Sequence, residues 1–394
     1  MEIPCREREA VEAALLHPIG SAPLKDLVSA GEKIVIVTSD ITRPLPTKEV
    51  LPPVLAELYA AGVKNSDITI VFALGSHRRH TVDEMKALVG DEIFRAIRCV
   101  DSTEQDFVLM GKTRLGTPVE IARVVAEADR RICLGNIEYH YFAGYSGGAK
   151  AIMPGVSTRA AIQSNHSRMV RPEAVAGRLD GNPVRADLEE AIDFCPIDFI
   201  VNVVLDEHKK IINAVAGHYI EAHRHGCRFL DSLYGKDIAR AADIVVVSQG
   251  GSPKDLNLYQ TQKALDNAKH AVKKGGIIIL VGSCREGLGE EVFEQWMTSA
   301  PTPQSMIERI ENEFQLGGHK AAAIALVLQK AEIYLVSEME PKFVQSLFLK
   351  PFGTVQAAFD AALAKIGPNA DIIVMPFGGS TLPKLAFDRP ESRL

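Results

Sequence analysis

The sequence predicts an α/β protein: two α/β domains with largely parallel sheets and an active-site cleft between them. Three observations lead there. The 394 residues exceed one domain at roughly 100–200 residues each. Short runs rich in Val and Ile alternate with helical patterns along the whole chain. Those runs are continuously apolar, as parallel strands buried on both faces require.

The elements follow in order. Residues 33–38 and 68–74 read as strands, with a helix at 51–61 whose first turn holds Pro52 and Pro53. Thr81 and Glu84 form a capping-box pattern at the start of a helix over 82–89. A strand at 131–134 leads into a Gly-rich segment and then a helix at 158–165, capped by Ser157 or Thr158. A strand at 199–205 follows. The stretch 224–237 is polar and glycine-punctuated, and marks a boundary. Beyond it come strands at 244–248, 277–281, 333–336 and 372–375, and helices at 255–273, 290–299, 303–313, 319–330 and 355–366. The expected domains are 1–236 and 237–367, with a tail, 368–394, packing back on the first.

Composition narrows the function. A net charge of −6 argues against a generic binder of nucleic acid or anionic membrane. The six cysteines, Cys5, Cys99, Cys133, Cys195, Cys227 and Cys284, are scattered with no C-x-x-C pair. That is neither a disulfide framework nor a zinc ribbon, and implies buried thiols in a reducing compartment. The N-terminus is too charged for a signal peptide, and no apolar run approaches the roughly 20 residues that span a bilayer. The expected location is the cytoplasm.

Four polar clusters sit at or just after predicted strand ends, where open α/β sheets build ligand sites. The first is Ser39-Asp40-Ile41-Thr42-Arg43-Pro44. Arg43 can grip a carboxylate or phosphate in a fork, and Asp40 can accept from hydroxyls. The second is Gly75-Ser76-His77-Arg78-Arg79-His80-Thr81, in which His77 is placed for proton transfer and His80 is the weaker candidate. The third runs from Glu138 to His166: His140 precedes the Gly-rich turn Ser146-Gly147-Gly148, Lys150 follows it, and His166 lies in the next helix. Its imidazoles can bind a metal or move protons, its amine can carry a covalent cofactor, and its glycines admit a bulky ligand. The fourth is the run from Ser252 to Lys263, where Tyr259, Gln260 and Lys263 share helical spacing suited to an anionic substrate. Each has a plainer reading: a Pro-ended turn, an exposed basic turn, a structural histidine, a solvated helix face. His208, His218, His223 and His225 read as surface residues.

Taken together in this order, the clusters resemble the nickel-dependent lactate racemase family. Its motifs are Asp-x-Thr-Arg-Pro, Gly-x-His-Arg, His-x-x-Ala-Gly-x-Ser-Gly-Gly-Ala-Lys-x-Ile-x-Pro-Gly and Pro-Lys-Asp-x-Asn-Leu-Tyr-Gln-x-x-Lys. The resemblance extends to Met375-Pro376-Phe377-Gly378-Gly379-Ser380. It implies a racemase or epimerase of a 2-hydroxy acid that uses a nickel-pincer nucleotide (pyridinium-3,5-bisthiocarboxylic acid mononucleotide nickel) tethered at Lys150, with His166 as the protein's nickel ligand. It also implies His77 and His140 as acid/base pair, and Arg43, Tyr259, Gln260 and Lys263 as substrate-binding groups. Asp40, Thr42, Ser146, Gly147 and Gly148 match cofactor- or site-shaping positions. The partners implied are a small 2-hydroxy acid and cofactor-synthesis proteins for loading, with no nucleic acid and no membrane.

The run from Lys320 to Ala325 lies where the family shapes the substrate side-chain pocket. Its small side chains point to a bulkier aliphatic, aromatic or acidic substrate than lactate. Two rival readings use the same scaffold: an enzyme of the same cofactor class doing net redox or elimination chemistry, and a non-catalytic 2-hydroxy-acid or nucleotide-binding sensor. A sensor should lack part of the set His77, His140, Lys150 and His166, and all four are present.

Overall fold

The computed structural model of the protein describes residues 6–104 and 106–385. One compact unit comprises the chain up to Leu230 except 170–172; the other comprises 170–172 and the chain from Asp231 on.

The first unit is built on a six-stranded sheet: β1 (Ile34–Ser39), β2 (Ile68–Ala73), β3 (Arg98–Asp101), β4 (Arg130–Asn136), β5 (Phe199–Leu205) and β6 (Ile211–Gly217). Their order is β6-β5-β4-β1-β2-β3, and all neighbours are parallel except β5 and β6. β1 reads Ile-Val-Ile-Val-Thr-Ser, and its first five residues are buried. A run apolar on both faces suits a central parallel strand covered by layers on either side.

Helix α1 (Thr47–Ala60) covers one face. Its Val50, Leu51, Val54 and Leu58 pack with Ile34, Ile36, Ile70 and Phe72 of the sheet. Each such side chain contributes about 1.5–3 kcal/mol on burial. That packing starts the helix at Thr47, four residues before the expected start, so Pro52 and Pro53 lie one turn inside it rather than at its opening.

Three more helices of this unit carry or support the site: α2 (Arg159–His166), α3 (Pro183–Glu190) and α4 (Glu221–Tyr234). α4 occupies most of the stretch read as polar and glycine-punctuated. The reason is its amphipathicity: Ala222, His223, Gly226, Cys227 and Leu230 form one buried face.

The second unit holds a parallel sheet of β7 (Ala242–Ser248), β8 (Val272–Val281), β9 (Glu332–Val336), β10 (Lys350–Phe352) and β11 (Ile372–Met375), in the order β10-β9-β8-β7-β11. The helices used below are α5 (Leu258–Ala268) and α6 (Gly318–Leu328). α5 is shorter than the 255–273 expected, because buried Val272 already begins β8. The segment read as a tail does not pack as one: β11 pairs with β7 inside this sheet, from Ile244↔Ile372 to Val247↔Met375. Leu382–Leu385 pairs with Gly235–Ile238. No helix among the described residues is long and apolar enough to cross a membrane. Cys5 lies outside the described residues; the other five cysteines are free thiols, four of them buried.

Candidate active site

The first three clusters fall at the C-terminal ends of β1, β2 and β4, which are adjacent in the sheet. From β1 the chain adds β2 and β3 on one side, then returns to place β4 on the other. The β1/β4 junction is therefore a topological switch point, where loops diverge and leave a crevice.

At the end of β1, Asp40 is buried, 2% exposed, beneath the exposed Thr42 and Arg43. Its Oδ1 accepts from the Thr42 amide at 3.2 Å and the Thr42 hydroxyl at 2.8 Å. Its Oδ2 forms a short hydrogen bond with Nδ1 of His77, from the end of β2. A carboxylate can only accept here, so Nδ1 carries the proton and His77 presents the lone pair on Nε2. Burial alone would raise the Asp40 carboxyl. The hydrogen bond and charge of His77, with Thr42 and Arg43, outweigh it and hold the group below its ordinary 3.8.

His80 has a different job. Its buried ring bonds Asp101 Oδ1 through Nδ1 at 2.6 Å, and its Nε2 accepts from the Ile41 amide at 3.0 Å. It thus pins the β1 loop to the β2 loop. Thr81 caps the helix Val82–Val89 in the expected box with Glu84.

The third cluster leaves β4 as a tight hairpin, Tyr139–His140 paired with Gly144–Tyr145. A turn through Ser146, Gly147 and Gly148 then delivers Lys150. Gly147 and Gly148 have φ of 77° and 60°; a Cβ would stand 2.7 Å from Asn202 Oδ1 at the first and 3.0 Å from the His223 ring at the second. The Ser146 hydroxyl is engaged within the loop, donating to the Asn136 carbonyl at 2.7 Å and accepting from the Glu138 amide at 2.9 Å.

Three residues that the sequence reading missed hold this loop. Asn202 on β5 accepts from the Gly148 amide at 2.8 Å. His223 on α4 donates from Nε2 to the Ser146 carbonyl at 2.8 Å. It is wholly buried, correcting its reading as a surface residue. Arg185 on α3, also wholly buried, donates to the carbonyls of Ala143 and Tyr145.

The electrostatics here are those of a partly buried, cation-rich place. Among the described residues the Lys150 Nζ has no hydrogen bond or ion pair; it stands 5.9 Å from the centroid of the Phe142 ring. Burial first, then the charges of Arg185 and Arg43, push the amine well below its ordinary 10.5, against a weaker opposing pull from Glu138. The same causes act on His140: burial, then Lys150, Arg43, His166 and Arg185 push it well below 6.5. Its Nδ1 accepts from the Ala143 amide at 3.3 Å, so the neutral ring carries its proton on Nε2. Arg185 itself is pushed down to about 10 by burial.

His166 is the last residue of α2, about two turns from its start, as the sequence leads one to expect. It is 7% exposed, with Nδ1 2.9 Å from Asn165 Oδ1 and its ring edge-on to Phe142 at 4.9 Å. The helix start is fixed by Thr158, which accepts from the Ala161 amide and donates to Glu120.

In the second unit, Asn257 caps α5, which places half-buried Tyr259 and Gln260 and exposed Lys263 on its first turns. Gly378 and Gly379 follow β11 and close on this element: the Asn267 side chain donates to the Gly378 carbonyl at 2.7 Å, and a Cβ on Gly378 would meet Val247 at 2.2 Å. The Lys320 amine donates to the Tyr259 carbonyl at 2.8 Å and stands 3.9 Å over the Tyr259 ring. Burial, then Lys263, push Lys320 down to about 7. Residues Ala321 to Ala325 are buried in the core of the unit, so the expectation that this run lines an open substrate pocket does not hold; Lys320 reaches Tyr259 on α5.

The Asp40–His77 pair gives a pH test. A carboxyl held below its unfolded 3.8 adds stability that is complete above that pH and is lost as pH falls through the folded value. Asp40→Asn should lower the thermal midpoint near neutral pH, with the gap to wild type closing below 3.8. Turnover should fall by roughly 10²–10⁴-fold, the cost of a mis-set imidazole in acid/base catalysis.

Comparison with known proteins agrees across the chain. Residues 1–177 match the lactate racemase N-terminal domain, and 238–382 match the lactate racemase C-terminal domain. The lactate racemase of Thermoanaerobacterium thermosaccharolyticum is 35% identical over 386 residues, covering 95% of this chain and 90% of that protein. That of Lactiplantibacillus plantarum is 33% identical over 388 residues, covering 96% and 91%. The solved lactate racemase apoprotein from T. thermosaccharolyticum superposes with a TM-score of 0.85 at 34% identity, covering 96% of this chain and 93% of that one. A Thermotoga maritima protein of 17% identity, TM-score 0.65, covering 96% and 98%, shares the fold.

Proposed function

Because the chain belongs to the lactate racemase family, it is a racemase, and we propose that it interconverts the enantiomers of a 2-hydroxy acid with a nickel-pincer nucleotide tethered at Lys150. In this reading the first domain, 1–236, carries the tether and the nickel ligand, and the second, 237–367, carries Tyr259, Gln260 and Lys263 for the substrate. The enzyme is cytoplasmic and depends on cofactor-synthesis proteins for loading.

The residues present fit that group. An un-ionised amine is the form of lysine that can bond to a carboxyl-derived carbon, and the surroundings of Lys150 push it toward that form. Among the described residues no three His, Cys, Asp or Glu side chains gather to hold a metal. A nickel ion at His166 would thus take its other donors from the cofactor, whose sulfurs would suit a soft metal. When bound, the cofactor supplies an acceptor for hydride from the substrate's Cα, chemistry that no side chain offers.

The protein's part is to hold the substrate and move the hydroxyl proton. Arg43 and Lys263 grip the carboxylate. Removing hydride from Cα requires that the hydroxyl proton leave too, and His77, with its lone pair on Nε2, takes it. Asp40 stabilises the imidazolium that forms. With the bound cofactor giving hydride back to the other face of Cα, His140 would give its Nε2 proton to the carbonyl oxygen, which restores the hydroxyl in the opposite configuration. For the other enantiomer the roles exchange. The two histidines are prepared differently: a carboxylate backs His77, whereas burial and neighbouring cations keep His140 neutral.

The observation that carries the reading is the Lys150 amine, pushed well below its ordinary 10.5 by burial and the charges of Arg185 and Arg43, on the loop that follows β4 and carries His140. The test is chiral conversion by cofactor-loaded enzyme over a panel of 2-hydroxy acids: lactate and bulkier aliphatic, aromatic and acidic members. Conversion of one member to its racemate supports it. No conversion across the panel by an enzyme shown to be loaded overturns it.

A further inference from the structure

The side chain behind His166 is ordered by a chain of hydrogen bonds whose donors and acceptors can be assigned without ambiguity. Asn165 is fully buried, and its amide nitrogen lies 3.1 Å from the Val184 carbonyl and 2.8 Å from Asp187 Oδ2. Both of those oxygens only accept, so the NH2 faces them and the amide oxygen faces the other way. That oxygen stands 2.9 Å from His166 Nδ1. An amide oxygen also only accepts. Nδ1 must therefore carry the hydrogen, and in the neutral ring the lone pair belongs to Nε2.

Asp187 is itself fixed from the far side. It is wholly buried; its Oδ1 accepts from the Thr113 hydroxyl at 2.6 Å and its Oδ2 from the Thr117 hydroxyl at 2.7 Å. The Arg168 guanidinium lies 3.6 Å away. Thr113 and Thr117 close the turn of the hairpin formed by Phe107–Lys112 and Pro118–Ala122, where the Thr113 amide donates to the Thr117 carbonyl at 3.0 Å. Every group in the line from hairpin turn to imidazole thus has its orientation set by the one before it.

We infer that Asn165 and Asp187 are positioning residues that hold His166 as its Nδ1–H tautomer and so commit Nε2 to the metal. This rests on the reading of His166 as the nickel ligand, and names the ligating atom and what orients it. Metal-binding histidines gain orientation and basicity when the second ring nitrogen donates to a fixed acceptor. Here the acceptor is an amide oxygen whose own direction is dictated by a buried carboxylate.

The first measurement uses the full chain without cofactor, labelled with 15N-histidine, above neutral pH. Long-range proton–nitrogen correlation reports which ring nitrogen is protonated, and His166→Gln identifies the signals. Wild type should show an Nδ1–H ring; an Nε2–H ring overturns the inference whether or not any variant folds. Asn165→Ala should lose the exclusive Nδ1–H signature, and Asp187→Asn, which keeps an acceptor for the Asn165 amide, should retain it. In loaded protein, nickel retention against a chelator should weaken roughly 10–100-fold in Asn165→Ala. A wild type that takes up no nickel would overturn the metal reading. A wild type that holds nickel, beside an Asn165→Ala variant that holds it as tightly, would overturn the relay.

Discussion

Lys150→Met is expected to abolish racemisation while making the unloaded protein more stable. The loss of activity follows from the tether: without a primary amine the cofactor is not retained, and most of an acceleration of roughly 10⁶-fold or more goes with it. The gain in stability follows from the amine's environment. A lysine whose folded pKa lies well below its unfolded 10.5 opposes folding below that pH, because the unfolded chain binds a proton that the folded chain refuses. The penalty is absent above pH 10.5 and grows as pH falls toward the folded value. Methionine fills similar space and carries no charge. Thermal midpoints of unloaded wild type and variant should diverge as pH falls from 10.5 to neutral, with the variant higher. Lys150→Arg should be inactive too, but must bury a guanidinium that ionises throughout this range, and should lose stability. Equal midpoints for wild type and Lys150→Met at neutral pH would contradict the downward shift of the amine.

The second large effect is expected at the two histidines. His77→Ala and His140→Ala should each lower racemisation by roughly 10²–10⁴-fold, the usual contribution of a positioned acid or base. The losses must be equal for the two enantiomers in each variant, because enantiomers have the same free energy and share one set of barriers. What separates the variants is the half-reaction. Each should still oxidise the enantiomer whose hydroxyl faces its remaining histidine. Acid quenching after mixing loaded enzyme with a single enantiomer should then release 2-keto acid, and the productive enantiomer should be opposite in the two variants. Release from the same enantiomer in both would place both histidines on one face of the substrate and refute the division of labour.

Much of this site is legible in the sequence because its chemistry is concentrated at strand ends. Val- and Ile-rich runs locate β1, β2 and β4, and the polar residues that follow them form the candidate site of the first unit. The supports are harder to read. Asn202 is a lone polar residue in an apolar strand, a signal that something must satisfy it, yet nothing local says that the partner is the Gly148 amide 54 residues earlier. His223 could have been found from its spacing with Cys227 and Leu230, which shares one helix face. Its polar neighbours hid that face. Arg185 looks like a helix-surface cation in sequence, and only the fold supplies the carbonyls of Ala143 and Tyr145 that let it stay buried. The strands β3, β6 and β10 are short or polar-interrupted, and owe their state to the neighbours they pair with. The run from Ala321 to Ala325 taught the opposite lesson: small residues read as pocket lining are buried core.

The central claim is that Lys150 carries the cofactor and His166 its nickel. Intact-protein mass spectrometry with nickel analysis, on protein produced together with a cofactor-synthesis system, tests it most directly. Added mass should map to the peptide containing Lys150, with nickel equimolar to chain and both absent from Lys150→Met. An unmodified chain without nickel, under conditions that load a known lactate racemase, would contradict it.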